Sequence, residues 1–207
     1  EVDCAWRWGN ERYRLNIYRQ RDQYAMAVRL LNNVVPECEA LGMPPALQAV
    51  TELSQGLVLI VGPTGSGKTT TLAALVQRIN ATRAVHIVTL EDPIEYEYPA
   101  GKSLIHQRDI GRDTMSFAKG LRAALREDPD VILVGELRDS ESMAIALTAA
   151  ETGHLVLATL HTQDVVTSIN RILDMLGENQ QQVRSQLAES LAVAASQRLL
   201  PRADGRG

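Results

Sequence analysis

Aromatic side chains are scarce in this 207-residue chain, at 4% of residues with a single Phe, so any core must be built from aliphatic side chains. Cysteine is nearly absent. Cys4 and Cys38 are too few for a disulfide framework or a thiolate metal cluster, so each reads as a small apolar residue in a reducing compartment. Long apolar runs are missing too: Leu57 to Val61 and Val131 to Val134 fall far short of the roughly 20 residues that cross a bilayer. A surplus of basic charge is also lacking. The formal net charge is −4, which argues against a surface that wraps nucleic acid, and no nucleic-acid partner is expected. With 45% hydrophobic and 22% charged residues, disorder is excluded as the general state of the chain. There is no internal repeat and no low-complexity tract. The chain opens on Glu1 without Met or a leader and closes on Asp204 to Gly207, so it reads as an excerpt.

What is present divides into two textures. Arg12 to Tyr18 and Tyr24 to Leu30 alternate with period two and predict half-buried strands. Pro36, Gly42, Pro44 and Pro45 then mark a linker, after which Pro45 can open a helix that carries Leu47, Val50 and Leu53 and stops at Gly56. Beyond it, apolar runs (Leu57 to Val61, Val85 to Leu90, Val131 to Val134, Leu155 to Leu160) alternate with helical stretches (Thr70 to Ile79, Phe117 to Arg126, Met143 to Ala150, Val165 to Leu176). Strands apolar on both faces and separated by helices predict an α/β fold with a parallel sheet covered on both sides.

Gly62-Pro63-Thr64-Gly65-Ser66-Gly67-Lys68-Thr69 matches G-x-x-x-x-G-K-[ST] between a strand and a helix. Such a loop turns successive N–H groups toward phosphate oxygens. Lys68 would bridge the β- and γ-phosphates, and Thr69 would hold Mg²⁺; Thr70 follows in the same turn. Val131 to Val134 leads to Glu136, and Val85 to Leu90 leads to Glu91, Asp92 and Glu95, so carboxylates gather where parallel strands end. One of them can reach the metal and another can polarise an attacking water. His161 ends its strand at that same edge while His154 begins it at the other. His161 suits a γ-phosphate contact, or simply a satisfied structural histidine. Arg12, Arg14 and Arg29 lie on polar strand faces and read either as solvated charges or as guanidiniums that stabilise a phosphoryl group.

Four segments together resemble the type II/IV secretion ATPase superfamily, and within it the PilT-type type IV pilus retraction ATPases. They are GPTGSGKTTTLAAL (Gly62 to Leu75), TLEDPIEY (Thr89 to Tyr96), LREDPDVILVGELRD (Leu125 to Asp139) and TAAETGHLVLATLHT (Thr148 to Thr162). The resemblance implies a P-loop NTPase (RecA-like) core at residues 46–207 with its C-terminal helical region truncated. A linker at 39–45 and part of a small PAS-like β-containing domain at 1–38 would precede it. It implies Glu95 as the base for water, Glu136 as the metal partner, His161 at the γ-phosphate, and Arg12, Arg14 and Arg29 near nucleotide. It further implies ATP and Mg²⁺, a hexameric ring, an inner-membrane platform partner, and a place at the cytoplasmic face of that membrane. Assembly and type II members usually carry a four-cysteine insertion after a segment like Ser196 to Leu200; Pro201 to Gly207 has no cysteine. The alternatives are a type II or type IV secretion ATPase or a pilus assembly ATPase. From other classes come a small-molecule kinase, a non-hydrolysing switch and a DNA-translocating motor.

Overall fold

The computed structural model describes residues 1–31, 34–177, 180–201 and 203. Of the expected C-terminal loop, Arg202 and residues 204–207 lie outside that set.

Three strands, β1 (Val2–Trp8), β2 (Glu11–Gln20) and β3 (Gln23–Leu31), form an antiparallel sheet in chain order. The alternation read at Arg12 to Tyr18 and Tyr24 to Leu30 falls inside β2 and β3, while β1 was not anticipated. Register separates the two faces. Trp6 pairs with Tyr13, and Tyr13 with Leu30; Cys4, Leu15 and Val28 line up in the same way, as do Val2, Ile17 and Met26. This apolar face leaves Val2, Trp6, Met26, Val28 and Leu30 exposed, with Trp8 beside them. The opposite face carries Arg12 and Arg14, with Arg14 directly across from Arg29.

The expected single helix from Pro45 is instead one α-turn, α1 (Pro45–Gln48), followed by a 3₁₀ turn at Ala49–Glu52. With no acidic residue or side-chain cap at its start, α1 has little local support, and Arg83 ties the segment down by donating to the carbonyls of Thr51 and Leu53, both at 2.8 Å.

The rest is a six-stranded parallel sheet in the order β6-β5-β7-β8-β4-β9. Its strands are β4 (Gly56–Val61), β5 (His86–Glu91), β6 (Leu104–Asp109), β7 (Val131–Val134), β8 (Leu155–Leu160) and β9 (Leu191–Ser196). Every residue of β4, β7 and β8 is buried, as the continuous apolar runs predicted. Alternate residues of β4 feed two cores. Leu57, Leu59 and Val61 pack with Leu121 of α3 (Phe117–Ala124), Met143 and Leu147 of α4 (Ser140–Glu151), Ile172 of α5 (Val165–Leu176) and Leu187 of α6 (Gln180–Ser190). Val58 and Ile60 pack with Leu72, Leu75, Val76 and Ile79 of α2 (Lys68–Thr82). Helices thus cover both faces. Asp139 and Asp164 cap α4 and α5 by accepting from Ser142 N and Thr167 N, which satisfies N–H groups that the first helical turn leaves open. Among the described residues, no helix is long and apolar enough to cross a membrane.

Candidate active site

The carboxyl ends of β4, β5, β7 and β8 open onto one cleft of about 510 Å³. Its walls include Thr64, Gly65, Gly67, Lys68, Thr69 and Thr70 of the glycine loop, Glu91 and Glu95 after β5, Glu136 after β7, and His161 after β8. The sheet order accounts for this: β4 lies beside β8 and β8 beside β7, so their ends converge although the sequence separates them widely.

The loop leaves Val61 through Gly62 and enters α2 at Gly67, which adopts a left-handed φ of 85° and supplies no side-chain cap. The N–H groups of the first α2 turn are therefore available to an anion, and the helix dipole favours one there. Lys68 is buried, and its Nζ donates to the carbonyls of Gly62 and Pro63, both at 2.9 Å. Burial lowers its pKa, an effect that nearby Glu136 partly offsets. Ser66 Oγ is buried without a hydrogen-bond partner inside the loop. An unpartnered hydroxyl, an uncapped helix start and a desolvated ammonium fit a bound polyphosphate.

Glu136 is also buried, and its carboxylate takes Arg138 Nη2 at 2.5 Å on one oxygen and His161 Nε2 at 3.3 Å on the other. His161 Nδ1 stands 3.5 Å from Lys68 Nζ. Burial lowers the histidine pKa and Lys68 lowers it further, against the pull of Glu136, so the ring is neutral at pH 7. The partners then place the proton on Nε2, toward Glu136, and the lone pair on Nδ1, toward Lys68. Lys68, His161 and Glu136 form one chain of contacts. The oxygen donors there, Thr69 hydroxyl and Glu136 carboxylate, suit Mg²⁺, which takes few protein ligands and completes its shell with phosphates and water. Among the described residues no cluster of three His, Cys, Asp or Glu side chains could hold a metal by itself.

Glu95 is half-buried on a segment that other side chains strap in place. Asp109 Oδ1 accepts from Ile94 N at 2.9 Å, and Gln107 Nε2 donates to Tyr96 O at 2.8 Å. Thr70 Oγ1 meets Tyr96 Oη at 3.1 Å, joining the segment to α2. Glu91 lies deeper, accepting from Thr89 Oγ1 at 2.6 Å and from Gln107 Nε2 at 3.1 Å, and burial raises its pKa to about 6.

The three arginines part company. Arg14 and Arg29 reach the cleft, although Arg14 is held by Asp3 at 2.6 Å. Arg12 does not line it. It is 7% exposed and donates to the carbonyls of Ile94 at 2.7 Å and Glu95 at 3.1 Å, with Glu97 completing the pairing at 3.2 Å. His154 lies at the far end of β8, as its sequence position required, with its Nδ1 3.0 Å from Ala149 O. Sequence reasoning missed Gln107 and Asp109, which reach the Glu95 segment from β6, and Arg138, which pairs with Glu136 two residues before it.

The chain as a whole is similar to known proteins. The chain is 52% identical over 191 residues to YggR, an uncharacterized protein of Escherichia coli, covering 92% of this chain and 59% of the relative. It is 47% identical over 198 residues to the type IV pilus retractation ATPase PilT of Pseudomonas aeruginosa, covering 95% and 58%. The crystal structure of the pilus retraction motor PilT with bound ADP superposes with a TM-score of 0.95 at 50% identity, over 99% of this chain and 60% of that one. The chain thus spans less than two thirds of the length of these relatives. The model for the family described as Type II/IV secretion system protein matches residues 20–206, and the chain belongs to that family.

Proposed function

We propose that this chain is the ATP-hydrolysing part of a mechanochemical motor that powers type IV pilus retraction. The observation that carries the reading is the single cleft in which Lys68, Glu95, Glu136 and His161 meet around an intact phosphate loop. Likeness to a retraction motor whose solved structure holds ADP supports the choice of nucleotide and of task.

In this reading the loop N–H groups and Lys68 hold the phosphates of ATP. Lys68 exchanges the carbonyls of Gly62 and Pro63 for phosphate oxygens, which relieves the cost of burying its charge. Glu95 takes the proton of the water that attacks the γ-phosphorus, while the bond to the ADP oxygen breaks. Neutral His161 and the guanidiniums of Arg14 and Arg29 meet the charge that spreads over the phosphoryl oxygens. Thr69 and Glu136 would hold Mg²⁺, which when bound neutralises charge shared by the β- and γ-phosphates.

Residues 1–38 are assigned to a small β-domain, 39–45 to a linker and 46–207 to the ATPase core. The whole motor is proposed to be a hexameric ring docked on an inner-membrane platform protein at the cytoplasmic face. Turnover of ATP with no acceptor present tests the chemistry. The wild-type chain should release phosphate, and Lys68→Ala should abolish hydrolysis and greatly weaken ATP binding. Wild-type-like turnover by Lys68→Ala would overturn the assignment, and phosphate transfer only to an added acceptor would indicate a kinase.

A further inference from the structure

We propose that Gln197, immediately after β9, is a positioning residue for the phosphate loop, holding Ser66 and the first turn of α2 in the shape that receives phosphate. The proposal rests on the nucleotide reading above and adds a residue that it does not use. The backbone brings Gln197 to the loop: its N–H donates to Val61 O at 2.8 Å, which carries the β4–β9 ladder one residue beyond the Val61–Ser196 pair. The side chain then spans the loop. Nε2 donates to Ser66 O at 2.8 Å, and Oε1 accepts from Thr71 Oγ1 at 2.8 Å.

The loop backbone is shaped to this neighbour. A Cβ at Gly62 would lie 2.3 Å from Gln197 O, and one at Gly67 would lie 2.9 Å from Gln197 Nε2. Two glycines of the motif therefore leave room for Gln197 as well as for a ligand. Residues on either side point elsewhere. Ser196 Oγ and Arg198 Nη2 both donate to Gln163 O at 3.3 Å, on the segment that follows His161. The end of β9 thus joins the phosphate loop to the histidine-bearing segment across the cleft.

A primary amide suits this position because one planar head offers a donor to the Ser66 carbonyl and an acceptor to the Thr71 hydroxyl. Glutamate has the same shape but, when ionised, turns an acceptor toward a carbonyl oxygen. Protonated, it regains a donor. This gives a test that separates positioning from general structural support: equilibrium binding of ADP with Mg²⁺ to the parent chain, Gln197→Glu and Gln197→Met, each measured from pH 8 to pH 5 and expressed relative to the parent at the same pH.

Gln197→Glu should bind roughly ten- to a hundredfold more weakly at pH 8 and recover toward the parent at pH 5, whereas Gln197→Met should show a loss that does not recover. Parent-like affinity in Gln197→Glu at every pH, or the same pH-independent loss in both variants, overturns the proposal. If Gln197→Glu does not fold, Gln197→Met decides, since parent-like binding by it overturns the role. A parent that binds no ADP overturns the nucleotide reading along with it, whereas parent binding with unaffected variants removes Gln197 alone.

Discussion

Two carboxylates of the cleft sit in opposite electrostatic settings. Glu136 is flanked by Arg138 and His161, whereas Glu91 is buried with the neutral donors Thr89 and Gln107, and burial raises its pKa to about 6. The folded protein therefore favours protonated Glu91 relative to the unfolded chain, where the value is 4.5. That contribution is complete below pH 4.5 and is lost as pH rises through about 6. It corresponds to about 2 kcal/mol at most. Thermal unfolding between pH 4.5 and 7 should show a loss of stability that Glu91→Gln removes, because the amide oxygen still accepts from Thr89 and Gln107; equal pH slopes in both proteins would refute it. Glu95 and Glu136 separate by kinetics. Glu95→Gln should cost about 10² to 10⁴ in turnover with ATP binding retained, whereas Glu136→Gln should make activity more dependent on Mg²⁺ concentration. Near-normal turnover in Glu95→Gln with ATP trapped by Glu136→Gln would reverse the two roles.

At the scale of elements, the buried side chain of Arg12 fastens the small sheet to the core, beside the exposed Arg7–Glu97 ion pair. Arg12 reaches from β2 to the carbonyls of Ile94 and Glu95, so the strand that carries Arg14 and the segment that carries Glu95 are held together. Arg12→Ala leaves those carbonyls without this donor and should destabilise the chain by about 2 kcal/mol in denaturant unfolding, as expected for hydrogen bonds from a charged group. It should also lower turnover through Glu95, whereas a change under about 0.5 kcal/mol, typical of surface sites, would make Arg12 a solvated charge after all. Sequence pattern placed β4, β5, β7 and β8 to within a residue because each is dominated by Val, Ile and Leu, and the glycine loop because its chemistry is local. β9 escaped notice: Leu191 to Ser196 is Ala-rich, and only the lateral pairing with β4 makes it a strand. β6 escaped for a related reason, since His106, Gln107, Arg108 and Asp109 are polar and gain strand structure by pairing with β5. Arg12 was read on a polar face, yet its partners lie more than eighty residues away.

For the whole molecule, the geometry bears on how neighbouring chains of the proposed ring would cooperate. Arg14 and Arg29 line the cleft of their own chain, together with Lys68 of that same chain. Mixing Arg14→Ala with Lys68→Ala chains should therefore restore no hydrolysis, because every site would lack one of the two groups. Recovery of turnover in verified mixed rings would show that the arginine acts across a subunit boundary. The small sheet also carries both of the chain's tryptophans, Trp6 and Trp8, with ring centroids 6.0 Å apart on β1. The parallel sheet and its helices have none. Intrinsic tryptophan emission is consequently a natural optical label for one part of the molecule: it follows the surroundings of β1 and is blind to the parallel sheet and its helices, so fluorescence and far-ultraviolet dichroism recorded during one titration would set the release of the small sheet against the melting of the rest.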